Sequence, residues 1–401
     1  MKIRSWFLLS ALMVSGMVSG QSVYDSLLKA RALASAGRDD RAIGILTSVM
    51  KLQQDGRLYS ERADASLEKG DLKNAISDYS NANNLIEYTG EYGMARAYAL
   101  QGNASASLVH LERNLKSPLK KSEKEIMLDP AFGKIENTPE WRQFWKKDWF
   151  TGAEKGISEI NYYLTAGKTE EALSSLSELE SNYSNSSSAV YGRAMVNLAV
   201  GKANDAVKSV MELLKTEPDN VNYLYLLAKG QIESSDPAGA SETYSKLIGM
   251  EVPDAELFIK RSECYRKTGE IDKAMADLTM YLTFYPENRS ALSMAGKLEA
   301  ASGDNLKAIE YFTNNLKLHP NDPQCYIDRA NSYLAARSWE WAANDFGMSL
   351  DLDPGNPEVW LNKGIALANE GHTDDACHDF RQSMRLGNKR APDYISKYCI
   401  K

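Results

Sequence analysis

Residues 357–388 read PEVWLNKGIALANEGHTDDACHDFRQSMRLGN. Inside this stretch His372, Asp374, Asp375, Cys377, His378 and Asp379 stand close together, and every one is a type that can bind a metal ion. Asp374 and His378 are four apart, which puts them on one face of a helix. The spacing supplies no third close ligand, because Cys377 lies about a quarter-turn from His378 and His372 falls in a turn. The expectation is therefore no metal and no cofactor. A different pattern runs through the same residues: Gly364, Gly371, Ala376 and Phe380 recur along the chain at a fixed interval.

Seven alanines mark that interval, each 34 residues from the next: Ala172, Ala206, Ala240, Ala274, Ala308, Ala342 and Ala376. Four positions after each comes an apolar residue, Phe312, Phe346 and Phe380 among them. Twelve before it the residue is small, from Ala194 to Gly364, with Ile160 the exception. Five before it stands Gly167, Gly201, Gly269, Gly303 or Gly371, with Ser235 and Arg337 as exceptions. Small residues let two helices approach while bulky ones fill the space beside them. Glycine ends the first helix, and a proline such as Pro286, Pro320 or Pro354 ends the second. One such pair cannot bury its own apolar face, so the pairs must stack.

The unit resembles the tetratricopeptide repeat, a helix–turn–helix of 34 residues. The resemblance covers residues 153–390 as seven abutting units and implies an all-α, right-handed superhelical solenoid. Looser units centre on Ala42 and Ala75, and 92–115 is a degenerate third, so residues 21–115 read as N-terminal repeats. Residues 116–152 lack the pattern and read as a helical spacer. Within the spacer, Trp141, Trp145 and Trp149 are spaced to lie along one side of a helix. They either pack on a neighbouring repeat or form a second partner contact. Residues 391–401 read as a capping helix.

The first 20 residues carry Lys2 and Arg4, an apolar run from Trp6 to Val14, and then small residues. They read as a signal peptide cleaved after Gly20, with a run too short to span a bilayer. No Cys follows it to take a lipid anchor, and no other stretch is long and apolar enough for a transmembrane segment. The expected location is outside the cytoplasm: periplasmic, peripheral to a cell-envelope complex, or secreted. The chain has 47 basic and 54 acidic residues and a net charge of −7, which argues against nucleic acid as a partner. Of four cysteines, Cys377 and Cys399 are the nearest in sequence; export makes a bridge possible, and the count alone does not fix the pairing.

No G-x-S-x-G, H-E-x-x-H or phosphate-loop motif is present, and no nucleophile stands beside a base in the pattern, so the expectation is a protein that is not an enzyme. In the family the resemblance names, the first helices line an inner groove. It places Tyr191, Tyr225, Lys229, Lys260, Glu263, Arg266, Lys267 and Lys297 there, with Glu233 and Glu256 among them. Asn331 and Asn362 match two positions of the carboxylate clamp of chaperone-binding members, but Ile327 stands where the clamp needs Lys. The cations form a mildly basic patch suited to an acidic segment or a C-terminal carboxylate, or else they pair internally with the acids. The function expected is a protein-binding scaffold of the bacterial envelope. Alternatives are a glycan-binding protein using Tyr191 and Tyr225, and a structural component that self-associates.

Overall fold

The computed structural model describes residues 22–400, so the signal-peptide reading of residues 1–20 lies outside the described residues. Every regular element among the described residues is a helix. The chain forms two compact units that divide between Trp149 and Phe150.

The first unit contains three helix pairs: α1 (Val23–Ser35) with α2 (Asp39–Met50), α3 (Gly56–Glu68) with α4 (Leu72–Leu85), and α5 (Glu91–Leu100) with α6 (Ala104–Leu115). Then come the short helices α7 (Glu123–Leu128) and α8 (Pro139–Phe144), separated by a 3₁₀ helix, Pro130–Lys134. These pieces continue the stack. The Tyr92 hydroxyl of α5 donates to Asp129, which caps the 3₁₀ helix, at 2.8 Å, and Arg96 reaches the same carboxylate at 2.9 Å. Phe132 and Trp141 meet with ring centroids 5.3 Å apart. Residues 123–144 of the spacer thus pack on the preceding repeat as short helices.

The tryptophan stripe is corrected here. α8 stops at Phe144, so Trp141, Trp145 and Trp149 do not share a helix. The chain turns back, and the Trp149 indole N–H donates to the Phe144 carbonyl at 3.0 Å.

The second unit contains seven pairs. They are α9 (Gly152–Thr165) with α10 (Thr169–Tyr183), α11 (Ser187–Ala199) with α12 (Ala203–Thr216), and α13 (Val221–Glu233) with α14 (Pro237–Gly249). Next come α15 (Glu256–Thr268) with α16 (Ile271–Phe284), and α17 (Arg289–Ser302) with α18 (Asn305–Leu318). The last are α19 (Pro323–Ala335) with α20 (Trp339–Leu352), and α21 (Pro357–Glu370) with α22 (Thr373–Arg385). The capping helix α23 (Ala391–Tyr398) follows. Asn220, Asn288, Asp322 and Asn356 cap first helices with side-chain acceptors, which satisfy N–H groups that have no partner within the helix.

The small and bulky markers are contact partners. A Cβ added at Gly296 would lie 2.5 Å from the Phe312 ring, and one at Gly364 would lie 2.6 Å from Phe380. A polar clamp joins some pairs to their predecessors. Arg261 makes two bonds to buried Asp277, at 2.8 and 2.7 Å, and a third to Ser245 on the preceding second helix at 3.0 Å. Arg329 does the same with Asp345 and Thr313, and Arg62 with Asp78 and Thr47.

Cys377 and Cys399 are joined by a disulfide, the pairing that the sequence left open. α23 folds back on α22 and brings the two Cα atoms within 5.7 Å across 22 residues of sequence. Cys264 and Cys325 are buried free thiols, and burial pushes both up to about 11.

The turn inside each pair needs a left-handed backbone: φ is 81° at Gly269, 91° at Gly303 and 102° at Gly371. Ser235 and Arg337 adopt the same conformation at 63° and 57°. A side chain there costs about 1–2 kcal/mol, partly offset because glycine loses more entropy on folding. Ser235→Gly and Arg337→Gly should each stabilise the second unit by about 0.5–1 kcal/mol, read as a rise in denaturation midpoint.

In the first unit, Arg31 of α1 pairs with Glu61 of α3 at 2.8 Å, and the Tyr79 hydroxyl of α4 donates to Asp64 of α3 at 2.6 Å. Burial raises both carboxyls above their ordinary values despite the nearby arginines. A carboxyl that binds its proton more tightly when folded favours the folded state below its unfolded pKa. That contribution is lost as pH rises through the folded value. Asp64→Asn should therefore raise the melting temperature at pH 8, with a gain that shrinks toward pH 4. A gain independent of pH would show that ionisation of Asp64 is not the cause.

Candidate protein-binding groove

The first helices of the second unit present a cleft of about 710 Å³ between α15, α17 and α19. Its apolar part is Ile271, Met294, Leu298 and Ala301, and its polar rim includes Glu263, Arg266, Arg289, Ser293, Lys297 and Gln324. The volume lies within the range of ligand clefts, about 300–1,000 Å³.

The charges of the rim are paired. Arg266 donates twice to Glu263, at 2.9 and 2.6 Å, and that pairing holds the Glu263 carboxyl below the usual range. Arg289 pairs with Asp322. Lys297 lies 3.1 Å from Asp328, which also accepts from Ser293 at 2.8 Å and from Gln324 at 2.7 Å. Depth separates the two signs. The Asp328 side chain is 6% exposed and that of Asp322 18%, whereas Lys297 is 58% and Arg289 53% exposed. A molecule entering the cleft meets guanidinium and ammonium groups first.

The structure brings three of the residues named from sequence, Glu263, Arg266 and Lys297, into this cleft. Lys229 pairs with Glu233 at 3.9 Å, and Lys260 stands 5.8 Å over the Tyr225 ring, whose hydroxyl donates to Asp254 at 2.6 Å. Lys267 is exposed, and its charge acts on Glu263. Tyr191 packs on Tyr223 with centroids 5.3 Å apart. Asn331 is exposed and Asn362 half-buried, and neither lines the cleft. Trp141 is buried at 7%, against Phe132 and Trp145. The cluster around GHTDDACHDF is spread among other tasks: Cys377 is in the disulfide, Asp379 pairs with Lys363 at 3.2 Å, and Trp360 meets the edge of His378.

Sequence reasoning missed Arg289, Asp322 and Asp328. Asp328 had a readable signal. At its place in the repeat, 14 before the marker alanine, the other units carry Ser158, Gly192, Leu226, Lys260, Met294 and Asn362, so it is the one carboxylate in the column.

The pattern of the tetratricopeptide repeat matches residues 256–288, the pair α15–α16 that forms one wall of the cleft. The chain is a tetratricopeptide-repeat protein. This tetratricopeptide-repeat chain is 24% identical over 222 residues to DnaJ homolog subfamily C member 3 of Gallus gallus, covering 49% of this chain and 44% of that protein. It is 22% identical over 205 residues to Tetratricopeptide repeat protein 13 of Homo sapiens, covering 51% and 20%. It therefore spans less than half the length of these curated relatives. Among solved structures it is similar to the C-terminal part of a TPR repeat-containing protein from Cytophaga hutchinsonii. That likeness has 15% identity and a TM-score of 0.52, and covers 59% of this chain and 98% of that one. It shows a shared solenoid fold.

Trp141 is core in the first unit, so Trp141→Ala should cost about 3–5 kcal/mol there. Far-ultraviolet circular dichroism during urea titration should show an early transition in the variant. A variant as stable as the wild type would mean that the ring is not packed as described.

Proposed function

We propose that this chain is an exported, non-enzymatic scaffold that holds an extended, acidic segment of a partner protein in the α15–α17–α19 cleft. We place it in the envelope of a bacterium, in the periplasm or peripheral to a membrane complex. The observation that carries the binding reading is the cleft, an apolar floor edged by outward cations on a chain of net charge −7. Charge of one sign in a concave site steers the opposite sign toward it. Tetratricopeptide-repeat proteins serve as protein-interaction scaffolds, which supports the broader part of the reading. Export is supported by the basic and apolar leader, and by the disulfide, a bond that persists in oxidising compartments.

Two observations weigh against the rival readings. Lys260 covers one face of Tyr225, which a stacked sugar would need. Burial of Trp141 leaves that ring little surface for the second contact.

The test is a pull-down from bacterial envelope extracts with the tagged chain, beside an Arg266→Glu, Arg289→Glu, Lys297→Glu variant. A partner enriched by the wild type should fall on the order of tenfold or more with the variant, while the thermal melt stays within a few degrees. Equal recovery by both proteins would remove the cleft as the binding site.

A further inference from the structure

The seventh pair ends the repeats, and α23 covers its outer face. Ala391 is fully buried, and Tyr394 and Tyr398 lie against Phe380 with ring centroids 5.4 and 6.0 Å away. Leu361 and Phe380, both fully buried, belong to the same cluster. α23 has only eight residues, too few to persist as an isolated helix in water. The Arg390–Glu358 pair at 2.6 Å joins two half-exposed side chains, and such pairs contribute little. Gly387, with φ at 92°, begins the short connection from α22. The strongest tie on α23 is its covalent one, at the far end of the helix, where Cys399 meets Cys377 of α22.

We propose that this disulfide is a redox latch on the cap. Closed, it holds α23 over Leu361 and Phe380. Opened by a dithiol reductant, it lets α23 leave while the repeats beneath stay folded. The sulfurs differ in access, since Cys377 is 6% exposed and Cys399 is half-buried at the end of the chain's last helix. An incoming thiolate therefore bonds to the Cys399 sulfur. The Cys377–Cys399 bond breaks, and Cys377 leaves as a thiolate that takes up a proton. The second thiol of the reductant then attacks the mixed disulfide and frees Cys399, which is protonated in turn. Two electrons and two protons pass to the protein, and the reductant ends as a disulfide. Cys264 and Cys325 are buried in other repeats and take no part.

Hydrogen exchange with mass spectrometry, on the whole purified chain, tests the latch in three states: oxidised, reduced with dithiothreitol, and Cys399→Ser. A bridge over a loop of this size shifts the opening equilibrium on the order of a hundredfold. Exchange in residues 391–398 should rise by about that factor in both latter states, with α15 and α19 unchanged. Alkylation of the reduced chain under the same native conditions should label Cys377 and Cys399 alone. Unchanged protection of α23 after reduction would overturn the proposal, as would a bridge that dithiothreitol leaves intact. Loss of protection extending through α20–α22 would also overturn it, because the bond would then be a staple of the whole unit. Should Cys399→Ser fail to fold, reduction of the already folded chain gives the same comparison.

Discussion

Each of the later helix pairs closes on one contact, a bulky side chain of the second helix seated against a small residue of the first. Phe312 sits on Gly296, and Phe380 on Gly364. Phe346 is fully buried in a cluster with Ala330. The separation in sequence is 16 residues each time, which fixes how the two helices register. With register fixed, the chain must reverse within a few residues, and the left-handed turn at Gly303 or Gly371 does this. The same register decides which positions of the first helix remain uncovered. Ser290, Ser293, Met294 and Lys297 of α17 are such positions, and the cleft is built from them. A methyl group at Gly296 would therefore disturb more than one ring, because it would push apart the helices that set the site.

Apolar contacts tolerate sliding, and the arginine clamps limit it. The carboxyl of Asp277 is buried and receives two parallel bonds from Arg261, and the third donor of the same guanidinium reaches Ser245 one pair back. A planar fork with directed donors holds both a distance and an angle. Breaking it would leave a buried carboxylate without its partner, a larger loss than the bond's net contribution. Lys363 takes the same place opposite Asp379, but as a single point charge at 3.2 Å. The position one pair back that Thr313 fills for Arg329 is Gly347 here, which has no hydroxyl to accept a third bond.

Periodicity was the legible part of this fold, since it follows from a contact that recurs. The helix pairs, their small and bulky markers and the glycine turns could all be read from spacing. Ser235 and Arg337 break the glycine rule while keeping its conformation, because the contacts on both sides of the turn over-determine it. The tryptophans misled for the opposite reason: a spacing of four is a helix signal only while the helix lasts, and α8 ends at Phe144. In the site, Glu263, Arg266 and Lys297 were readable as inner positions. Arg289 and Asp322 lie at the starts of successive first helices, and their pairing appears only once α17 and α19 stand side by side. The disulfide was hidden likewise, since it depends on α23 reversing onto α22.

Counting charges would call the cleft nearly neutral, and depth changes that conclusion. Asp328 also accepts from Ser293 and Gln324, so two of its bonds do not depend on Lys297. Lys297 and Arg289 remain more than half exposed, each still partly solvated. Under the proposed reading, an arriving carboxylate displaces water from a cation and leaves the network under it intact. Half-exposed ion pairs of this kind contribute little affinity apiece, roughly 0–1 kcal/mol, whereas they raise association rates strongly. The apolar floor formed by Met294 and Leu298 must then supply most of the residence time, through whatever side chain the partner lowers onto it. Under the proposed reading, such a groove captures an acidic segment through its cations and holds it through its apolar floor.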